Sequence, residues 1–203
     1  MIDLSNYSEL IVKQEVEHFE AFTGLETKNR YSVSTPDGHP FLYAYEESGL
    51  LSRMLLRKNR PLSIHVIDND KQLVITASRL FFWVFSHLHI RDGFGREIGS
   101  LKRRFGILNR RFEVEDSTGK LIAEITGPRL RPNTFMIYKN GEEIGRVTKK
   151  WSGIGKEVFT DADTFQVQID TSKGDKDFTM LILVTAIAID LDFFEGKKKI
   201  LFF

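Results

Sequence analysis

Cysteine is missing from all 203 residues of the chain. That one gap excludes disulfides, thiolate metal sites, a cysteine nucleophile and S-acylation. The N-terminus, Met1-Ile-Asp-Leu-Ser-Asn-Tyr7, has neither a basic region nor an apolar core, so no secretory signal is visible and a cytoplasmic protein is expected. No nucleophile elbow, zinc motif or dinucleotide fingerprint occurs, so no catalytic motif is found. A strong net charge is also lacking: at +1, a basic field for nucleic acid is not indicated. Tyrosine is sparse beside phenylalanine, 5 against 17, which points to a core filled with rings rather than a polar aromatic surface.

Helical periodicity is scarce before residue 174. In its place a unit of strand, polar turn and strand keeps returning. Tyr31–Tyr45 turns at Asp37-Gly38, Leu62–Thr76 at Asp68-Asn69-Asp70, Arg111–Ile125 at Asp116–Gly119 and Thr134–Thr148 at Asn140-Gly141. A looser copy, Leu88–Leu101, turns at Asp92-Gly93. Apolar residues alternate on either side of Asp, Asn or Gly, which supply the left-handed angles of tight hairpins. With strands near Leu10–Val16 and Thr164–Ile169, about a dozen antiparallel strands are expected, enough to close into a barrel or stack into a sandwich. No low-complexity linker divides the chain, so residues 1–203 read as one domain.

One long apolar run stands apart, Phe178 to Ile189, resuming through Leu191, Phe193 and Phe194 around Asp190 and Asp192. A bilayer-spanning helix needs about 20 apolar residues, and runs of about 10–14 are more often buried core helices. A helix apolar all round must be enclosed on every side, and a barrel interior encloses it. Asp175 and Asp177 suit the N-terminus of such a helix, and Lys197, Lys198 and Lys199 its C-terminal side. The expected helix covers about 175–194, with Leu181, Val184, Ile187 and Ile189 in its core.

The residues then match a family. Leu10–Glu15, Thr23–Tyr31, Arg60-Pro-Leu62, Ile67-Asp-Asn69, Trp151-Ser-Gly153, Phe159-Thr-Asp-Ala-Asp-Thr-Phe165 and Ile189-Asp-Leu-Asp-Phe-Phe-Glu195 resemble, in this order and over nearly the whole chain, the phospholipid scramblase family. The resemblance implies a Tubby C-terminal-like fold, shared with LURP-one-related proteins: a closed barrel of about twelve antiparallel strands around a central, buried apolar C-terminal helix. It also implies phospholipid movement between leaflets, usually stimulated by calcium, by a peripheral protein at the inner face of the plasma membrane. Three departures stand out. Eukaryotic members carry a proline-rich extension before the domain, which here begins almost at residue 1. Their palmitoylated cysteine run corresponds to Leu80–Phe85, with no thiol. Their acidic segment ends in an acidic residue, whereas the twelfth position from Asp161 is Ser172.

Candidate residues follow. Asp161 and Asp163, with Asp170 if the next loop folds back, are the calcium (Ca2+) candidates. An EF-hand takes ligands from positions 1, 3, 5, 7 and 9, with glycine at 6 and glutamate at 12. From Asp161 only the first two fit, because Phe165, Val167 and Ile169 alternate as a strand does. Few carboxylates make about millimolar affinity the relevant scale, and the competing reading is a turn capped by two aspartates. Phe81, Phe82, Trp83 and Phe85 put rings on both faces of one segment, either as core or as a membrane-contact patch. Arg103, Arg104, Arg110 and Arg111 are candidates for an anionic lipid headgroup, against a solvated surface. His87 and His89 share a strand face and are read as an exposed pair. Gly153-Ile-Gly155-Lys156 fails as a phosphate loop, with Lys150 and Glu157 at two required positions. Two functional readings stay open: a membrane-associated, scramblase-like phospholipid-handling protein, and a non-catalytic barrel recognising anionic headgroups or a protein partner. Nucleic acid is the weakest partner.

Overall fold

Short-range chemistry at the turns organises the molecule. In the computed structural model, which describes residues 3–15, 29–47, 61–80, 86–104, 106, 109–150 and 163–194, Asp68 accepts hydrogen bonds from the backbone N–H groups of Asp70 and Gln72. Asp92 does the same for Phe94 and Arg96, and Asp116 for Thr118 and Lys120. Three residues after each aspartate the backbone turns left-handed, at Lys71 (φ 60°), Gly95 (84°) and Gly119 (81°). The next hairpin turns through Asn140 (52°) and Gly141 (82°), the two-residue solution that matches strand twist. These turns recur at positions 68, 92, 116 and 140, an interval of 24 residues.

The turns link twelve strands: β1 (Glu9–Gln14), β2 (Arg30–Ser34), β3 (Pro40–Glu47), β4 (Leu62–Asp68), β5 (Leu73–Arg79), β6 (His87–Asp92), β7 (Glu97–Arg104), β8 (Asn109–Asp116), β9 (Leu121–Pro128), β10 (Thr134–Lys139), β11 (Glu142–Lys150) and β12 (Thr164–Ile169). Each pairs antiparallel with its sequence neighbours, and β1 closes the barrel against β12, with Leu10 opposite Val167 and Val12 opposite Phe165. Closure leaves no unpaired edge among the described strands. Alternate side chains point inward, as with Phe165, Val167 and Ile169 on β12, all buried.

Inside lies α1 (Lys176–Ile189). The Asp175 carboxylate caps it by accepting from Phe178 N–H at 2.8 Å. Every residue from Phe178 to Ile189 is buried, including Leu181, Val184, Ile187 and Ile189. The expected span of about 175–194 divides in two: the α-helix stops at Ile189, and Asp190–Phe194 continue as a π-helical turn. At its N-terminal end Arg96 clasps Asp177 through two hydrogen bonds of 2.8 and 2.9 Å and reaches Asp92 with its Nε. The helix lies close to β7, where a Cβ on Gly99 would meet the Glu115 carbonyl oxygen at 2.2 Å and Leu181 at 3.1 Å. No described helix is long and apolar enough to cross a membrane.

An up-and-down barrel sends its connections alternately to its two ends. The tight turns, the start of β1 and the helix N-terminus gather at one, here called the turn end. The β9–β10 connection, the starts of β2 and β12 and the helix C-terminus gather at the other, the loop end. At the turn end Asp3, Asp37, Asp68, Asp70, Asp92, Asp116, Asp170, Asp175 and Asp177 outnumber Lys71, Arg96, Lys120, Lys139, Lys173 and Lys176. The loop end is the reverse, with arginine and lysine in excess among the described residues. A net charge of +1 conceals this separation.

Candidate functional site

Strand alternation splits the four candidate arginines into two pairs. Arg104 on β7 lies across from Arg111 on β8, and both face outward. There Arg104 binds Glu113 at 2.7 Å and Arg111 binds Glu124 at 2.5 Å. Arg103 shares the inward face of Leu101, and Arg110 that of Phe112, so both lie at the loop-end mouth of the barrel. Phe193, on the π-helical turn, sits beneath them: the Arg103 guanidinium is 4.8 Å from its centroid and that of Arg110 5.3 Å. Arg110 also stacks on Phe135 at 4.2 Å and donates to the Pro132 carbonyl at 2.7 Å. Neither forms an ion pair with a described residue. Burial, and the positive charge of Arg129 nearby, lower the basicity of Arg110. Two half-buried guanidiniums, held on aromatic faces and lacking a carboxylate, leave fork-shaped donors for an oxyanion.

Beside this pair the helix end carries buried acids. Asp190 accepts from the Tyr31 hydroxyl at 2.8 Å, and its Oδ1 accepts no hydrogen bond from a described residue. Burial pushes its carboxyl up to about 7; the Tyr31 bond opposes this and the charge of Asp163 adds to it. Asp163 in turn lies 2.7 Å from Lys149 Nζ, which stands 4.0 Å above the Phe194 ring. Asp192 pairs with Arg79 at 2.8 Å, both side chains essentially inaccessible, and Arg79 also donates to Ser86. Asp190 and Asp192 were visible in the sequence as charges within an apolar run, but their partners are 159 and 113 residues away.

The calcium candidates do not come together. Asp163 precedes β12 and Asp170 follows it, so six residues of extended strand separate them. Asp170 caps a short 3₁₀ turn, accepting from Ser172 N–H and Oγ at 3.0 and 2.7 Å. Asp163 already holds an ammonium, and Phe165, Val167 and Ile169 are buried strand residues rather than loop ligands. An EF-hand geometry therefore does not fit this segment. Asp161, the ring cluster Phe81, Phe82, Trp83 and Phe85, the glycine loop at Gly153 and the lysines at 197–199 lie outside the described residues. Leu80, adjoining the ring cluster, is 85% exposed. The rings of His87 and His89 lie 4.2 Å apart and are tilted by 39°, and His89 Nδ1 lies 3.1 Å from Glu97. Burial, then the neighbouring imidazole, lower the His87 pKa. No group of three or more His, Asp or Glu side chains suited to a metal occurs among the described residues.

Comparison with known proteins completes the picture. The Scramblase family model matches residues 2–196. The chain belongs to the scramblase family. It is 27% identical over 207 residues to Phospholipid scramblase 1 of Homo sapiens, covering 95% of this chain and 65% of that protein. It is 27% identical to Phospholipid scramblase family member 5 of Homo sapiens, covering 95% and 76%. Altered inheritance rate of mitochondria protein 25 of Saccharomyces cerevisiae is 24% identical, covering 96% and 72%. The chain thus spans a little under two thirds of the length of the human scramblase 1 that it matches. No solved structure matches it significantly.

Proposed function

We propose that this scramblase-family chain attaches peripherally to membranes and binds phospholipids, with the Arg103–Arg110 pair at the barrel mouth taking the headgroup phosphate. Family membership supports the phospholipid, and the carboxylate-free guanidiniums over Phe193 carry the choice of site. Arg104 and Arg111, neutralised by glutamates, contribute to the surface field rather than to a pocket. The reading favours anionic lipids, because each cation near an anionic leaflet contributes about 1 kcal/mol. An inner-leaflet location at the plasma membrane, and transbilayer movement of the bound lipid, extend the same reading. Of the calcium candidates, the described Asp163 and Asp170 do not form a loop site, so the binding step proposed here rests on the arginines.

Two measurements test this. Sedimentation with phosphatidylserine-containing vesicles should pull down the wild-type chain, and Arg103→Ala/Arg110→Ala should weaken that by about 30-fold or more, from about 1 kcal/mol per cation plus the loss of bidentate bonds. Dithionite quenching of a fluorescent lipid in reconstituted vesicles should show protein-dependent loss of the inner-leaflet signal. Sedimentation without that loss would leave a binding module, and equal sedimentation of wild type and double variant would remove the site.

A further inference from the structure

We infer that the barrel docks end-on, with its loop end against an anionic phospholipid bilayer and Leu130 inserted among the headgroups. The inference rests on the lipid-binding reading above and adds to it a direction of approach and a contact residue.

The β9–β10 connection runs Arg129-Leu130-Arg131, and Leu130 is 97% exposed, the most exposed large apolar side chain among the described residues. Neither flanking arginine forms an ion pair with a described residue, and Arg129 is near enough to Arg110 to depress its basicity. An apolar tip between two uncommitted guanidiniums suits a bilayer surface, where the side chain enters the interface and the cations meet phosphate oxygens. Leu80, also exposed, projects from the same end of the barrel. Lys150, at the end of β11, likewise has no ion pair there with a described residue.

A competing apolar tip exists. Phe94, in the β6–β7 turn, is 83% exposed at the turn end. Its surroundings decide against it: Asp68, Asp70 and Asp116 in the neighbouring turns form no ion pair with a described residue, while Asp92 and Asp177 share the single cation of Arg96. An anionic leaflet repels that surface and attracts the other. The separation of charge along the barrel axis therefore selects the docking end, although each end offers an exposed apolar residue.

The absence of cysteine makes the test clean. Leu130→Cys and, as the opposite-end control, Phe94→Cys are each labelled with an environment-sensitive fluorophore in the full chain. Each is mixed with phosphatidylcholine vesicles containing one quarter phosphatidylserine, and binding is followed in parallel by sedimentation. The label at position 130 should brighten, shift to the blue and be quenched by lipids spin-labelled near the headgroup, while that at position 94 stays unchanged. Arg129→Gln/Arg131→Gln should weaken sedimentation about 30-fold, near fivefold per cation. Sedimentation with a response at position 94 instead, at both positions equally, or at neither overturns the end-on inference while leaving lipid binding intact. Equal binding to vesicles of phosphatidylcholine alone overturns its electrostatic basis. No sedimentation with either vesicle overturns the lipid-binding reading itself, and the inference with it.

Discussion

Asp190→Asn should make the protein more stable above neutral pH, an unusual outcome for a substitution at a fully buried polar residue. In the unfolded chain this carboxyl ionises near 3.8, whereas in the barrel burial and the neighbouring Asp163 hold it protonated up to about 7. Between those values the folded chain retains a proton that the unfolded chain has released. Unfolding then releases a proton, so stability falls as pH rises through this window and levels off above it. A shift of about three units corresponds to about 4 kcal/mol as an upper bound, at about 1.4 kcal/mol per unit. Asparagine reproduces the protonated acid without titrating: its carbonyl accepts from the Tyr31 hydroxyl, and its amide donates towards Asp163. Urea unfolding at pH 4.5, 6 and 8 should give nearly coincident midpoints at the lowest pH. At pH 8 the midpoint of the variant should be higher by about 1–2 M, for a slope of about 2–3 kcal/mol per molar. Parallel pH profiles for the two proteins, or a variant less stable by the same amount at every pH, would refute the reasoning, because Asp190 would then be ionised like an exposed carboxylate.

Removing the cation from the other buried acid should do the opposite. Arg79→Ala leaves Asp192 enclosed without its guanidinium and should cost about 3–5 kcal/mol in urea unfolding, while Arg79→Met/Asp192→Leu should recover most of it. Gly99→Ala should destabilise by about 1–3 kcal/mol or more, since φ is +156° and the new Cβ meets the Glu115 carbonyl at 2.2 Å. Gly119→Ala, at positive φ but with nothing within 4 Å of the new Cβ, should cost only about 1 kcal/mol by calorimetry or urea melt.

Much of the fold is legible because its determinants are local. The aspartate and glycine turns with flanking alternation mark the hairpins, and the strand expected at Thr164–Ile169 is β12 to the residue. The buried helix follows from length alone, since a run from Phe178 to Ile189 fills a barrel better than a bilayer. The site was less legible. Arg103 and Arg104, and likewise Arg110 and Arg111, are neighbours in sequence but sit on opposite faces of a strand. Separating them requires knowing that Leu101 and Phe112 point inward. Charge balance misled in a similar way. A sum carries no position, and only the alternation of connections shows the aspartate turns at one end and the uncommitted arginines at the other. The buried acids were present as letters, but the Tyr31 and Arg79 that receive them come from strands far away in the chain.

The same geometry bears on whether the apolar helix could leave the barrel for a bilayer. Fourteen helical residues at about 1.5 Å each reach about 21 Å, short of a hydrocarbon core about 30 Å thick. Recruiting the π-helical turn adds length but brings Asp190 and Asp192, each costing about 2.5–3.5 kcal/mol at the centre of a membrane helix. The departing helix would also strip the barrel of its filling, exposing the inward faces of Val12, Ile64, Phe112 and Phe165, and each large apolar side chain loses about 1.5–3 kcal/mol on such exposure. Both effects oppose extraction, and nothing in the helix offsets them. The barrel therefore stays filled, with the Arg103 and Arg110 guanidiniums at its mouth and the helix end held beneath them through Tyr31 and Arg79.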